Sequence, residues 1–194
     1  MINLNSTIFE ILGVLFSNNH VNLHDIAREA RLSVMGVSKI IKELEAGKIV
    51  TITKIGRSHM VRINPVKNNI EVFSLAEKYR FERFIRKHVK LKPFLLMAKE
   101  QVDADFVLIF GSYASGEESA GSDLDVLIVS DKEDIKAVNS IKPLLDVELS
   151  PVFVTKKNFI TELRKKHRLY TEILNGKKVL VNGEYNFWNM VVGL

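Results

Sequence analysis

The chain has 194 residues, of which 46% are hydrophobic and 26% charged, with no cysteine. This composition excludes a disordered or fibrous chain, disulfides, thiolate metal sites and a cysteine nucleophile. The net charge of +5 is uneven, at +3 over residues 1–65, +5 over 66–100 and −3 over 101–194. The basic N-terminal part of the chain favours a polyanionic partner, whereas the clustered carboxylates of the C-terminal part favour a metal ion or another cation.

The first 65 residues are predicted to form three helices and a β-hairpin. Apolar residues recur every three to four positions in the helical segments. Asn22 is a predicted N-cap with Asp25 in the capping-box position, and Ser33 is the N-cap of the next helix, which stops at Gly47. The predicted elements are helices over 6–17, 22–30 and 33–46 and strands over 49–55 and 60–63.

The remaining chain is predicted to be a helical connector followed by alternating strands and helices. Residues 69–98 have helical periodicity interrupted at Pro93, and no Gly/Ser-rich linker precedes the next unit. The strands are predicted over 106–110, 124–129, 147–154 and 178–181 and the helices over 132–140 and 157–174. Residues 183–194 form an aromatic tail, in which Phe187 and Trp188 are expected to pack on this unit.

The most informative segment runs from Phe110 to Asp125. Gly111 follows an apolar strand, where it permits a sharp turn and lets a ligand approach the backbone. Ser112 begins a short helix, whose free N–H groups suit a phosphate. Asp123 and Asp125 are two residues apart on the next strand, so both carboxylates lie on one face. Because two close carboxylates repel each other, a cation between them is favoured, most simply Mg²⁺ that holds a nucleoside triphosphate.

The order Gly-Ser, a spacer of about ten residues and Asp-x-Asp resembles the DNA polymerase beta-like nucleotidyltransferase superfamily in its minimal form, over residues 101–181. The resemblance implies Mg²⁺-dependent transfer of a nucleoside monophosphate from a nucleoside triphosphate, such as ATP, to an acceptor hydroxyl. It implies that Gly111 and Ser112 contact the triphosphate and that Asp123 and Asp125 bind Mg²⁺. Ser115 departs from the pattern, because many relatives have an arginine or lysine there; Lys132 or another basic residue is a candidate substitute.

The family uses a third carboxylate on a neighbouring strand, which completes a two-metal site. Glu148 is the preferred candidate, because Glu-x-x-Pro followed by Val-x-Val-Thr resembles relatives that carry this domain behind a DNA-binding module. Glu148 would then help to activate the acceptor hydroxyl. Asp146 is the alternative on the same face.

Residues 5–64 resemble a winged helix-turn-helix, with the hairpin as the wing. In that family the second helix of the motif enters the major groove of double-stranded DNA. The resemblance implies DNA contacts by Ser33, Ser38, Lys39, Lys42 and Arg57, with Lys54 and Arg62 as further wing residues. Dimerisation alone and RNA contact are the alternatives for this module. The basic tracts 78–90 and 165–168 are interpreted as solvated helix faces, and the five histidines have no metal-ligand spacing.

The sequence therefore predicts an α+β chain with two domains: a winged helix-turn-helix over 1–65, a connector over 66–100 and a nucleotidyltransferase domain with a mixed sheet over 101–194. The longest strand-like apolar runs hold about five residues, far below the roughly 20 of a membrane span. No signal-peptide pattern opens the chain, so we expect a cytoplasmic protein without membrane contact. The expected partners are a nucleoside triphosphate, DNA, a protein or RNA acceptor and a second copy of the chain. Two rival functions are a DNA-binding regulator that only senses a nucleotide and an antitoxin-type modifier of a partner protein.

Overall fold

A computed structural model describes residues 3–18, 20–56, 58–132 and 135–193. The N-terminal part contains three helices and a small sheet, as the periodicity predicts. The Asn22 side chain accepts a hydrogen bond from Asp25 N, and the Ser33 side chain accepts one from Gly36 N, which confirms both predicted N-caps. The elements are α1 (Ser6–Phe16), β1 (Val21–Asn22), α2 (Leu23–Ala30), α3 (Val34–Ala46), β2 (Val50–Ile55) and β3 (Ser58–Ile63).

The three strands of this part form an antiparallel sheet in the order β1-β3-β2. The predicted hairpin is therefore present. Strand β1 was not predicted, because two residues are too few to show a periodic pattern. Val37, Ile41 and Leu44 lie on the buried face of α3 and pack into the core beneath the helices. The opposite face of α3 is left exposed.

The helical connector breaks at His88 rather than at Pro93. Helix α4 (Ile70–Lys87) follows a 3₁₀ turn at Lys67–Asn69, and a second 3₁₀ turn at Val89–Leu91 leads into α5 (Lys92–Gln101). Pro93 lies in the first turn of α5, where a missing backbone N–H breaks no helical hydrogen bond. The proline therefore marks the start of a helix and not an interruption.

The C-terminal part is built on a mixed four-stranded sheet in the order β6-β5-β4-β7. The β5–β6 pair is parallel, and the pairs β4–β5 and β4–β7 are antiparallel. The elements are β4 (Phe106–Phe110), α6 (Gly111–Ser115), β5 (Leu124–Val129), α7 (Ile135–Ile141), a 3₁₀ turn (Lys142–Leu144), β6 (Leu149–Val154), α8 (Lys156–Arg164), α9 (Arg168–Asn175), β7 (Val179–Asn182) and α10 (Glu184–Val192).

The expected single helix over 157–174 is in fact the pair α8 and α9. The chain turns between them at Lys166, whose φ is +56°. A lysine in the left-handed region is uncommon, so the residue type gave no sign of this break. The mixed α+β architecture agrees with the predicted fold class.

One hydrophobic core joins the N-terminal helices to the mixed sheet. Helix α4 packs against α1, α10 and β7. Phe16, Phe73 and Trp188 form an aromatic cluster at this junction, with ring centroids 4.7–5.4 Å apart. Phe187 and Trp188 are buried, which confirms that the aromatic tail packs on the rest of the chain. Within the described residues, no helix is both long and apolar enough to span a membrane.

Candidate active site at the edge of the mixed sheet

The Gly-Ser turn lies directly beside the second aspartate. Strand β4 ends at Phe110, which pairs with Asp125 at the start of β5. Gly111 has φ +70°, and a Cβ atom there would overlap Asp125 Oδ2 and lie 3.1 Å from Asp125 Cγ. Two features therefore require glycine at position 111: the positive φ and the closeness of the Asp125 carboxylate.

Asp123 and Asp125 lie near each other at the start of β5, Asp123 exposed and Asp125 half-buried. Burial raises the pKa of Asp125, and the negative charge of Asp123 raises it further. The Ser150 hydroxyl, which is placed to donate a hydrogen bond to Asp125, acts in the opposite direction on the pKa. The pair is thus placed where a bound cation would relieve the repulsion.

Ser150 is a site residue that sequence reasoning missed. It lies on β6 directly opposite Asp125 in the parallel register. The register, once known, identifies it, because residues opposite each other on neighbouring strands project to the same face. The sequence alone does not give the register of a parallel pair.

The Glu148 backbone lies beside the strand that carries the aspartates, but the Glu148 side chain lies near Lys142. Leu124 N donates a hydrogen bond of 2.7 Å to Glu148 O. The Glu148 side chain is 77% exposed, and its Oε2 lies 3.6 Å from Lys142 Nζ. The alternative, Asp146, is exposed and lies three residues before β6. Throughout the described part of the chain, no three His, Cys, Asp or Glu side chains are grouped closely enough to hold a metal ion.

The loop after α6 is anchored to the end of α4. Glu118 Oε1 lies 3.4 Å from Lys87 Nζ and 3.8 Å from His88 Nδ1. Burial lowers the pKa of His88, which favours the neutral ring. Lys132, the residue suggested as a substitute cation, lies beyond the C-terminal end of β5, and its Nζ is 3.3 Å from Asp103 Oδ2.

The predicted DNA-contacting residues that are described lie on the outer side of α3. Lys39 and Lys42 are exposed, Ser33 caps the helix and Ser38 is half-buried. Met35 is 85% exposed, an unusual position for a large apolar side chain. Arg57, the fifth predicted residue, lies outside the described residues.

The β-hairpin flanks this side of α3. Ser38 and Lys42 line a cavity of about 460 Å³, together with Lys54 and His59 of the hairpin. Lys54 is exposed, whereas the Arg62 side chain donates a hydrogen bond of 3.1 Å to Thr51 Oγ1. Two of the predicted residues therefore face the hairpin edge as well as solvent.

Residues 90–185 match the family described as Polymerase beta, Nucleotidyltransferase. The match contains the whole mixed sheet and every residue predicted for the transferase site. It supports a nucleotidyltransferase domain in this part of the chain and a nucleotidyltransferase-type activity in general. Searches of curated proteins and of solved structures gave no match.

Proposed function

We propose that this protein transfers a nucleoside monophosphate from a nucleoside triphosphate to an acceptor hydroxyl and releases pyrophosphate. The observation that supports this most directly is the closeness of Gly111 to the Asp125 carboxylate. A phosphate chain that follows the Gly-Ser turn would then pass beside both aspartates. Positioning and charge neutralisation are the main requirements of phosphoryl chemistry.

In this proposal, Gly111 and Ser112 bind the triphosphate, and Asp123 and Asp125 form a site for a hard cation. Carboxylate oxygens are the preferred ligands of Mg²⁺, and the raised pKa of Asp125 is consistent with a pair that needs a positive charge. Bound Mg²⁺ would supply that charge and neutralise the phosphates. In this proposal Ser150, which lies opposite Asp125 on β6, helps to orient the Asp125 carboxylate.

Glu148 is proposed to accept the proton of the acceptor hydroxyl. The hydroxyl oxygen then forms a bond to the α-phosphorus, the bond to the bridging oxygen of the β-phosphate breaks, and pyrophosphate leaves. Glu148 must first turn away from Lys142. Exposed ion pairs contribute about 1 kcal/mol or less, so this rotation costs little.

The decisive experiment incubates the protein with labelled nucleoside triphosphates and Mg²⁺, alone and with cell extract, and measures label transfer. Asp125→Asn should lower the transfer rate about 100-fold or more. Asp131→Asn is the matched control, because Asp131 is an exposed aspartate beyond the opposite end of β5. Wild-type transfer by the Asp125→Asn variant would contradict the proposal.

The third carboxylate is identified by a pair of isosteric variants. If Glu148 takes the proton, Glu148→Gln lowers the transfer rate and Asp146→Asn leaves it unchanged. The reverse result would assign the role to Asp146.

We also propose that the N-terminal helices and hairpin bind double-stranded DNA as a winged helix. The observation in favour is the outer side of α3, where Lys39, Lys42 and the strongly exposed Met35 are free of the core. Short and basic side chains on such a helix allow close approach to the major groove. Dimerisation through this part, or RNA contact, remains an alternative to DNA binding.

Two rival functions lead to different results in the same assays. A regulator that senses a nucleotide would bind nucleoside triphosphates and specific duplexes without transferring label. An antitoxin-type modifier would label one protein in an extract that contains its partner. The proposed cytoplasmic location suits all three functions.

A further inference from the structure

The segment from Gly111 to Ser122, which contains α6 and the loop after it, has no lysine or arginine, but it has Glu117 and Glu118. A triphosphate is a polyanion, and phosphate binding depends on cations and charge-assisted hydrogen bonds. Any basic side chain that binds the terminal phosphates must therefore belong to another element. We propose that Lys87 and Lys177 bind the terminal phosphates of the nucleoside triphosphate, an inference that rests on the proposed transferase function.

Both lysines reach the end of α6 from different elements. Lys177, which precedes β7, has its Nζ 3.5 Å from Ser115 O. Lys87, the last residue of α4, has its Nζ 3.4 Å from the place that a Cβ of Gly116 would take. The two ammonium groups thus flank the last turn of α6, and both side chains are exposed.

This pair of cations borders a cavity large enough for a phosphate chain. The cavity has a volume of about 570 Å³ and is lined by Lys87, Lys177, Ser115 and Gly116. Arg31 and Arg83 add two cations to its wall, against the carboxylates of Glu10 and Glu29. Arg83 is paired with Glu10, whereas the ammonium groups of Lys87 and Lys177 reach the last turn of α6.

The spacing along α6 matches a triphosphate. A helix rises about 1.5 Å per residue, which places Ser115 about 6 Å along the axis from Gly111. The Asp125 carboxylate lies at the Gly111 end, and the two ammonium groups lie at the Ser115 end. A triphosphate whose α-phosphate lies beside the aspartates can therefore extend its terminal phosphates towards the lysines.

Lys87 is held near this position by an ion pair that a phosphate can replace. Its Nζ lies 3.4 Å from Glu118 Oε1, and its side chain is 59% exposed. Exposed pairs of this kind are weak, whereas a terminal phosphate offers more charge and three acceptor oxygens. Glu118 then keeps its contact with His88.

The test measures binding of each of the four ribonucleoside triphosphates by calorimetry, and then of the monophosphate that matches the tightest one. Lys87→Met and Lys177→Met should each weaken triphosphate binding about tenfold. Monophosphate binding should change by less than about twofold, because the monophosphate lacks the terminal phosphates. Lys177→Arg, which keeps the charge, should retain most of the triphosphate affinity. Lys136→Met is the control, because Lys136 is an exposed lysine on α7.

Melting curves of the same variants separate ligand binding from a capping role of the lysines at α6. Triphosphate affinity that is unchanged in both methionine variants would overturn the inference and leave the transferase proposal standing. An equal loss of monophosphate and triphosphate affinity would also overturn it, because the lysines would then act on the fold. A wild-type chain that binds no nucleoside triphosphate would overturn the inference and the proposed function together.

Discussion

Gly111 shows how one residue ties a backbone conformation to the proposed chemistry. Gly111→Ala should destabilise the protein, because alanine at positive φ costs about 1–2 kcal/mol and its Cβ would push Asp125 away. Transfer activity should fall with it. Gly56→Ala is the matched control, because Gly56 has φ +60° with nothing within 4 Å of an added Cβ. Equal losses of unfolding free energy in the two variants, measured by chemical denaturation, would show that Asp125 is not displaced.

Ionisation of Asp125 should lower the free energy of unfolding. A carboxyl group whose pKa is raised by folding binds its proton more tightly in the folded state. The resulting stability cost is absent below the ordinary pKa of aspartate and is fully present above the raised pKa. Asp125→Asn removes that cost and keeps an oxygen for the Ser150 hydroxyl. At pH 7 the variant should therefore have a higher melting temperature than the wild type while its label transfer is strongly reduced, and a lower melting temperature would contradict this prediction.

The sequence could predict the local part of this site and not its long-range part. Gly111, Ser112, Asp123 and Asp125 belong to one short segment, so spacing and strand period are enough to propose them together. Ser150, Lys87 and Lys177 come from other elements, and only the strand pairing and helix packing bring them near. The orientation of Glu148 towards Lys142 depends in the same way on the turn that ends α7.

At the scale of elements, helix starts were easier to predict than helix breaks. Asn22 and Ser33 have side chains that cap a helix, so their identity carries the signal. The breaks at His88 and Lys166 occur at residue types that are common inside helices. Tertiary packing selects those breaks, and Pro93, the strongest local signal, turned out to begin a helix.

Helix α3 carries the prediction for nucleic-acid binding. If about five residues of this module each neutralise one phosphate, log K for duplex DNA should fall against log salt with a slope near −4.5. Lys39→Ala and Lys42→Ala should each reduce the magnitude of that slope by about 1. Lys136→Ala on α7 is the control, because α7 flanks the mixed sheet and lies outside this module. Fluorescence anisotropy across a salt series measures the slope, and identical slopes in all variants would contradict DNA contact through α3.

The molecule as a whole is connected by a buried charge cluster at the junction of α1, α4 and β7. Lys178 is 1% exposed and donates hydrogen bonds to Phe16 O at 3.0 Å and to Leu174 O at 2.7 Å. Arg80 donates to Lys178 O at 2.8 Å and to the buried Glu77 carboxylate at 2.9 Å. The N-terminal helices are thus held to the mixed sheet by polar contacts as well as by the continuous core.

This cluster predicts how the stability of the whole chain depends on pH. Burial lowers the pKa of Lys178 to about 8, against 10.5 for an ordinary lysine. Between these two values the unfolded chain binds more protons than the folded chain, so the contribution of Lys178 to the unfolding free energy becomes more favourable as pH rises. Lys178→Met should lower the unfolding free energy by about 3 kcal/mol at pH 7, because the Phe16 and Leu174 carbonyl groups lose their buried donor and Glu77 keeps only Arg80 as its cation.

The difference in unfolding free energy between wild type and Lys178→Met should then grow from pH 8 to pH 10, by at most about 1.4 kcal/mol per pH unit. Subtracting the variant cancels the titration of the other lysines and of the tyrosines, because they are present in both chains. Chemical denaturation at a series of pH values measures this difference, and Lys136→Met should show no such trend. A difference that stays flat or shrinks over this range would mean that Lys178 keeps its proton in the folded chain, and that the attraction of the Glu77 charge outweighs the burial of the ammonium group.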